Sequence, residues 1–272
     1  NVLLLATGED GYVYVNYLRS ALLAFPDMNR VDVFDAAAAV PDASLLAEYN
    51  AVVVMSEYPF ADSVATGNAL ADYVDAGGCV IQAVATFAEA GLGLELGGRF
   101  MTQGYSPFLP GELTYNMYPY LGSHDPRHPI MQGVSDLQGD FIVDVEMKTG
   151  AEWVADWYDG TPLVAVWNQK VVGINYYAFD HGTFAGDVET LFHNAIVYVA
   201  DRPFRIDDPP TLPATLAPGQ SVTFSVSFAP QAEGKYSGLL RISSNDKDEP
   251  DATVTLSGLA VGGEFALEYT GR

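Results

Sequence analysis

The chain is poor in positive charge and in cysteine. Twelve Lys+Arg face 35 Asp+Glu across 272 residues, for a formal net charge of −23, and only four lysines occur, Lys148, Lys170, Lys235 and Lys247. A surface this acidic repels phosphate backbones and anionic headgroups, so nucleic acid and membrane-surface partners are excluded. The one cysteine, Cys79, cannot form an internal disulfide, which excludes a disulfide scaffold. No apolar run reaches the roughly 18 residues of a membrane span, so membrane insertion is not expected. No leader is visible ahead of Val2, which fits a processed start or a trimmed sequence. Hydrophobic residues at 49% are ample for a core and exclude a disordered chain.

Apolar strands and helical patterns alternate over the first two hundred residues. Strands are expected at 2–6, 31–34, 51–55 (AVVVM) and 79–84 (CVIQAV), with helices at 12–25, 44–49 and 66–76. Strands apolar on both faces and separated by helices predict an α/β domain with a parallel sheet and right-handed crossovers. Between Thr86 and Gln132 the periodicity fails while Gly, Pro and Tyr accumulate. Strands return at 153–157, 163–167 and 171–177, followed by a helix over 187–200. A Pro- and Asp-rich stretch at 201–213 then marks a boundary. Beyond it the period becomes two, in SVTFSVSF (221–228), KYSGLLRIS (235–243) and ATVTLS (252–257), predicting a smaller all-β module. The domains are placed at 1–202 and 203–272.

LADYVDAGGCV (70–80), HPIMQGV (128–134), DGTPLVAVW (159–167), VVGINYYAF (171–179) and LFHNAIVYVA (191–200) resemble the flavodoxin-like, class I glutamine amidotransferase-like superfamily, in particular its ThuA-like branch. The resemblance spans about residues 1–201 and implies fold more strongly than activity. Amidotransferase chemistry needs a Cys on a strand-to-helix elbow, with a His base and an acidic orienter. The elbow falls near Ala85, Thr86 and Phe87, where no Cys stands, whereas Cys79 begins its strand and reads as a small buried residue. Catalytic residues are therefore expected to be absent. LAPGQSVTFSVSFAP (216–230), EGKYSGLLRISSNDKDEP (233–250) and VTLSGLA (254–260) resemble the ASH-type (choice-of-anchor D-like) immunoglobulin-like modules of bacterial secreted proteins.

Ligand motifs are weak. Thr7-Gly8-Glu9-Asp10-Gly11 lacks the Gly-x-Gly-x-x-Gly spacing, and its carboxylates oppose a pyrophosphate, so no nucleotide or flavin cofactor is expected. His124, Asp125 and His128 offer zinc-type donors, but Pro126 and Pro129 oppose the helix that would align them, so no metal site is assigned. Asn245 to Glu249 reads as an acidic turn rather than a calcium loop.

Aromatics remain. Tyr115, Tyr118 and Tyr120 in the irregular stretch either pack against the sheet, contact another subunit, or stack on sugars. Trp153 and Trp157 are expected to share one strand face. The segment 203–272 is shorter than the roughly 100 residues of a complete Ig-like sandwich. Either its first strands lie outside these residues, or the groove is filled by the tail strand carrying Phe265, Leu267 and Tyr269, from its own chain or a neighbour. The sequence therefore favours a non-catalytic extracellular or cell-surface structural or adhesive protein, forming a homo-oligomer or a head-to-tail polymer. The alternative is a sugar-active hydrolase or isomerase related to the ThuA-like proteins, working through His124, Asp125 and His128, or a carbohydrate-binding protein.

Overall fold

The computed structural model describes residues 1–8, 13–115, 118–177, 185–200, 204–207, 214–230, 234–246, 248, 251–261 and 264–268. The chain divides into two compact units, Asn1–Ala200 and Asp201–Arg272.

In the first unit, β1 (Val2–Thr7), α1 (Val13–Leu22), β2 (Val31–Asp35), α2 (Ala43–Leu46), β3 (Ala51–Ser56), α3 (Ser63–Asp75) and β4 (Cys79–Ala83) follow one another in alternation. Every residue of β1, β3 and β4 is buried, as uninterrupted apolar runs require of strands covered on both faces. α2 and α3 start where Asp42 and Asp62 accept the amide protons of Leu45 and Ala65, each capping an otherwise unsatisfied first turn. Then come α4 (Gly98–Thr102), β5 (Phe108–Thr114), β6 (Leu121–His124), a 3-10 turn at Pro129–Met131, β7 (Leu137–Gln138), β8 (Ile142–Met147), β9 (Glu152–Trp157), β10 (Pro162–Trp167), β11 (Val171–Ile174), β12 (Ala185–Gly186) and α5 (Val188–Ala200).

The main sheet has eight strands in the order β2-β1-β3-β4-β11-β10-β9-β6. Pairing is parallel from β2 through β4 to β11. It is antiparallel from β11 to β6. The expected parallel sheet is thus present in its first five positions only. The reason is connection length: Asn168 to Lys170 joins β10 to β11, with Asn168 and Gln169 at φ +47° and +55°, and so short a link makes a hairpin rather than a crossover.

Side chains alternate across the sheet. Leu4, Val53 and Ile81 pack with Leu18 and Leu22 of α1 and Phe192 and Ile196 of α5. Leu3, Val52 and Val80 face Leu70 and Tyr73 of α3 and Phe100 of α4. Each fully buried aliphatic side chain contributes about 1.5–3 kcal/mol relative to exposure.

Trp153 and Trp157 differ in burial, and the β9–β10 pairing is irregular between them. Trp157 is buried and its indole N–H donates to the Asn175 carbonyl (3.0 Å), while Trp153 is half-exposed and donates to Asp156 (2.8 Å).

In the second unit, β13 (Phe204–Asp207) pairs with β14 (Ser225–Phe228), and β15 (Gly234–Ser243), β16 (Asp251–Val261) and β17 (Glu264–Glu268) form an antiparallel sheet. The tail strand β17, with Phe265 and Leu267, pairs with β16 of its own chain. Tyr269 lies outside the described residues.

Candidate functional site

The strand order 2-1-3-4 places a topological switch point between β1 and β3, because the chain leaves β1 toward one side and later strands add on the other. In open α/β sheets, ligands collect beyond the carboxyl ends of the strands at such a point. Here Thr7 ends β1, and its hydroxyl donates to the Tyr58 carbonyl (2.5 Å) while accepting the amide protons of Glu57 (3.2 Å) and Tyr58 (3.1 Å). One small side chain thereby fixes the backbone just past β3 and sets the position of Glu57.

Tyr177, just past β11, meets Glu57 there. Burial holds its phenol well above the ordinary tyrosine range; the Glu57 charge and the hydrogen bond to Glu57 add to this, as do Tyr58 and Asp140. The phenol therefore stays protonated and donates to the carboxylate. The Tyr177 ring packs edge-on to Phe141 (4.7 Å between centroids), and Phe141 in turn meets Tyr115 edge-on (5.2 Å). Glu57, Asp140 and Tyr177 thus form a polar group bordered by Phe141 and the 54% exposed ring of Tyr115.

The elbow position after β4 is closed. Val84, Ala85, Thr86 and Phe87 are buried, and the Thr86 hydroxyl donates back to the Ala83 carbonyl (2.6 Å). Cys79 is 6% exposed, and its thiol donates to the Val199 carbonyl (3.0 Å).

The remaining sequence candidates take separate local roles. His128 is buried and caps the 3-10 turn, its Nδ1 accepting the Ile130 amide proton (3.2 Å). Asp125 holds Arg127 (3.4 Å), and His124 Nδ1 lies 3.1 Å from the Gly122 carbonyl. Among the described residues no group of three or more His, Cys, Asp or Glu is placed to hold a metal ion. His181 and the loop at 9–12 lie outside the described residues. Tyr118 and Tyr120 are each 57% exposed, Tyr120 stacking on Tyr158 with centroids 4.4 Å apart. Glu57, Asp140 and Tyr177 escape sequence reasoning as a group because each is an ordinary residue one to three places beyond an element. The usable signal was the place: Glu57 directly follows the apolar run of β3.

No protein-family model and no curated protein matches the sequence. Among solved structures, the chain is similar to two cytoplasmic proteins from Salmonella typhimurium, each with a TM-score of 0.56, at 14% and 16% identity, over 73% of this chain and 98% and 99% of theirs. It is also similar to a thua-like protein from Bacteroides uniformis, with a TM-score of 0.53 and 14% identity over 74% of this chain and 91% of that one. At such identities the likeness shows the fold alone: an α/β, flavodoxin-like domain with a parallel-dominated eight-stranded sheet.

Proposed function

We propose that the first unit is a sugar-recognising or sugar-active domain, with its ligand at the switch point between β1 and β3. The observation that carries this is the Glu57–Tyr177 pair beside Asp140. A carboxylate fixed by a buried phenol offers hydrogen-bond acceptors to hydroxyl groups, while the local negative charge disfavours phosphates and carboxylates. Phe141 and Tyr115 supply the ring surface on which the apolar face of a sugar rests. The fold shared with a thua-like protein supports the same reading. For the second unit we propose an immunoglobulin-like module, completed by β17 from its own chain.

Calorimetric titration with glucose and with maltose tests the ligand. Saturable binding is expected, weakened by Glu57→Gln and by Tyr115→Ala. If neither sugar binds, or both variants bind as the parent does, the reading falls. The exposure of Tyr115, Tyr118 and Tyr120 favours a second reading, contact with another subunit; it requires a concentration-dependent mass in sedimentation that Tyr118→Ala and Tyr120→Ala reduce.

A further inference from the structure

A cavity of about 390 Å³ opens at the other end of the sheet, lined by Val74, Asp75, Gln103, Gly104, Tyr105, Lys148, Trp167, Asn168, Lys170 and Val171. Its size is that of a small-molecule site. Two of the four lysines of this acidic chain line it. Carboxylates outnumber cationic side chains 35 to 12 in the sequence, yet among the described residues no carboxylate lies within ion-pair distance of Lys148 or Lys170.

Both ammonium groups are instead held by backbone. Lys148 Nζ donates to the Gly104 carbonyl and sits 3.3 Å from the centroid of the Trp167 ring. Lys170 Nζ donates to the Val74 carbonyl (3.2 Å). An ammonium has three donors, so each keeps donors for a ligand after these contacts. Burial pushes the Lys148 ammonium below the ordinary lysine range, the cost of withdrawing a cation from water without an anion beside it.

Asp75 is the one acid in the lining, and it is already engaged. Its Oδ2 accepts from Arg99 Nη2 (2.7 Å) and its Oδ1 from the Tyr105 hydroxyl (2.7 Å), while Arg99 also pairs with Asp72. The Asp75 charge is therefore offset mainly by the Tyr105 hydroxyl and the Arg99 guanidinium, with a weaker attraction from Lys170.

We propose that this cavity binds a small oxyanion, a carboxylate or phosphate head held between Lys148 and Lys170, with the body of the ligand against Trp167 and Tyr105. The Asn168 and Gln103 amides add neutral donors at the wall. The proposal is independent of the sugar reading, since it uses other residues at the opposite sheet end and requires the opposite ligand charge.

The test titrates the whole protein with inorganic phosphate and with glucuronate at low ionic strength, following tryptophan emission, with glucose as the neutral control. Saturable binding of either anion is expected, weakening as salt is raised. Phosphate alone or glucuronate alone identifies which head group the site takes. Lys148→Met keeps the alkyl chain on Trp167 and removes the charge; Lys170→Gln does the same at the other pole. Each should weaken binding about tenfold or more, the loss expected for one charge-assisted hydrogen bond. If Lys148→Met fails to fold by circular dichroism, Lys170→Gln carries the test. Absence of saturation with both anions, equal binding of glucose at this cavity, or unchanged affinity in the folded lysine variants would overturn the proposal.

Discussion

The side chain of Asn175 bonds both backbone polar groups of Val143. Its Oδ1 accepts the Val143 amide proton (2.9 Å), and its Nδ2 donates to the Val143 carbonyl (2.7 Å) and to the Pro162 carbonyl (3.0 Å). Asn175 is fully buried just past β11, so one amide ties β8, whose strand partner is β5, to the end of β11. β8 follows directly on Asp140 and Phe141, which ties this clip to the geometry of the switch-point site.

Asn175→Leu is therefore expected to cost about 2–5 kcal/mol, since it strands two buried backbone groups at roughly 1–3 kcal/mol each. Asn175→Asp should be worse at neutral pH, because a carboxylate would replace the donor that faces two carbonyls. Urea midpoints give both values; an Asn175→Leu protein as stable as the parent would contradict the clip.

The first half of the sheet was legible in the sequence because burial on both faces writes itself as apolar runs, AVVVM unbroken and CVIQAV interrupted only by the buried Gln82. The direction of β9, β10 and β6 was not legible from those runs. It depends on turn length, and the Asn168-Gln169 pair that closes the β10–β11 hairpin is a signal that only the left-handed geometry explains. The tie between β8 and β11 was hidden for a different reason: the Asn175–Val143 contact spans 32 residues and leaves no local pattern. At the site, periodicity shows where strands stop but says nothing of which loop residues meet beyond them. Glu57 and Tyr177 meet because β3 and β11 flank β4 in the same direction. Tyr115, Tyr118 and Tyr120 stood out in the sequence, and the structure leaves all three rings more than half exposed.

His128 predicts a pH dependence. Its ring is 8% exposed, lies 4.9 Å from the Tyr198 ring, and uses Nδ1 as an acceptor from the Ile130 amide. Burial lowers its pKa, outweighing the opposing charges of Glu152 and Asp125. The neutral ring is thus favoured in the folded protein, while the unfolded chain takes up a proton near the ordinary value of about 6.5. Between the two values the unfolded state binds more protons, so this stability is full above about pH 6.5 and is lost as pH falls through the lowered folded value. Carboxylate protonation relieves self-repulsion over part of that range, so the informative quantity is a difference. Urea midpoints at pH 7.5 and 5.5 should separate more in the parent than in His128→Asn, whose side-chain oxygen keeps the cap. Equal separation in the two proteins would remove His128 from the account.

In the second unit, Gly258 of β16 makes a sharper prediction. A Cβ at this position would stand 2.3 Å from Cζ of Phe228, the last residue of β14, so the phenyl ring rests directly on the glycine. Phe228 also packs against Phe204 of β13 (4.9 Å between centroids). This contact joins the two-stranded and three-stranded sheets of the unit. Gly258→Ala should force the ring aside and cost about 1–3 kcal/mol, the usual range for overpacking. All three tryptophans, Trp153, Trp157 and Trp167, belong to the first unit, so their emission reports that unit alone. Limited proteolysis of the whole chain should therefore cut residues 201–272 faster in Gly258→Ala, while the tryptophan-detected unfolding curve stays in place. The double variant Gly258→Ala with Phe228→Ala supplies the control: with the ring gone, the added methyl has nothing to strike, and its effect should shrink to a few tenths of a kcal/mol on the Phe228→Ala background. If the methyl costs as much without the ring as with it, the two sheets are not held together through Gly258 and Phe228.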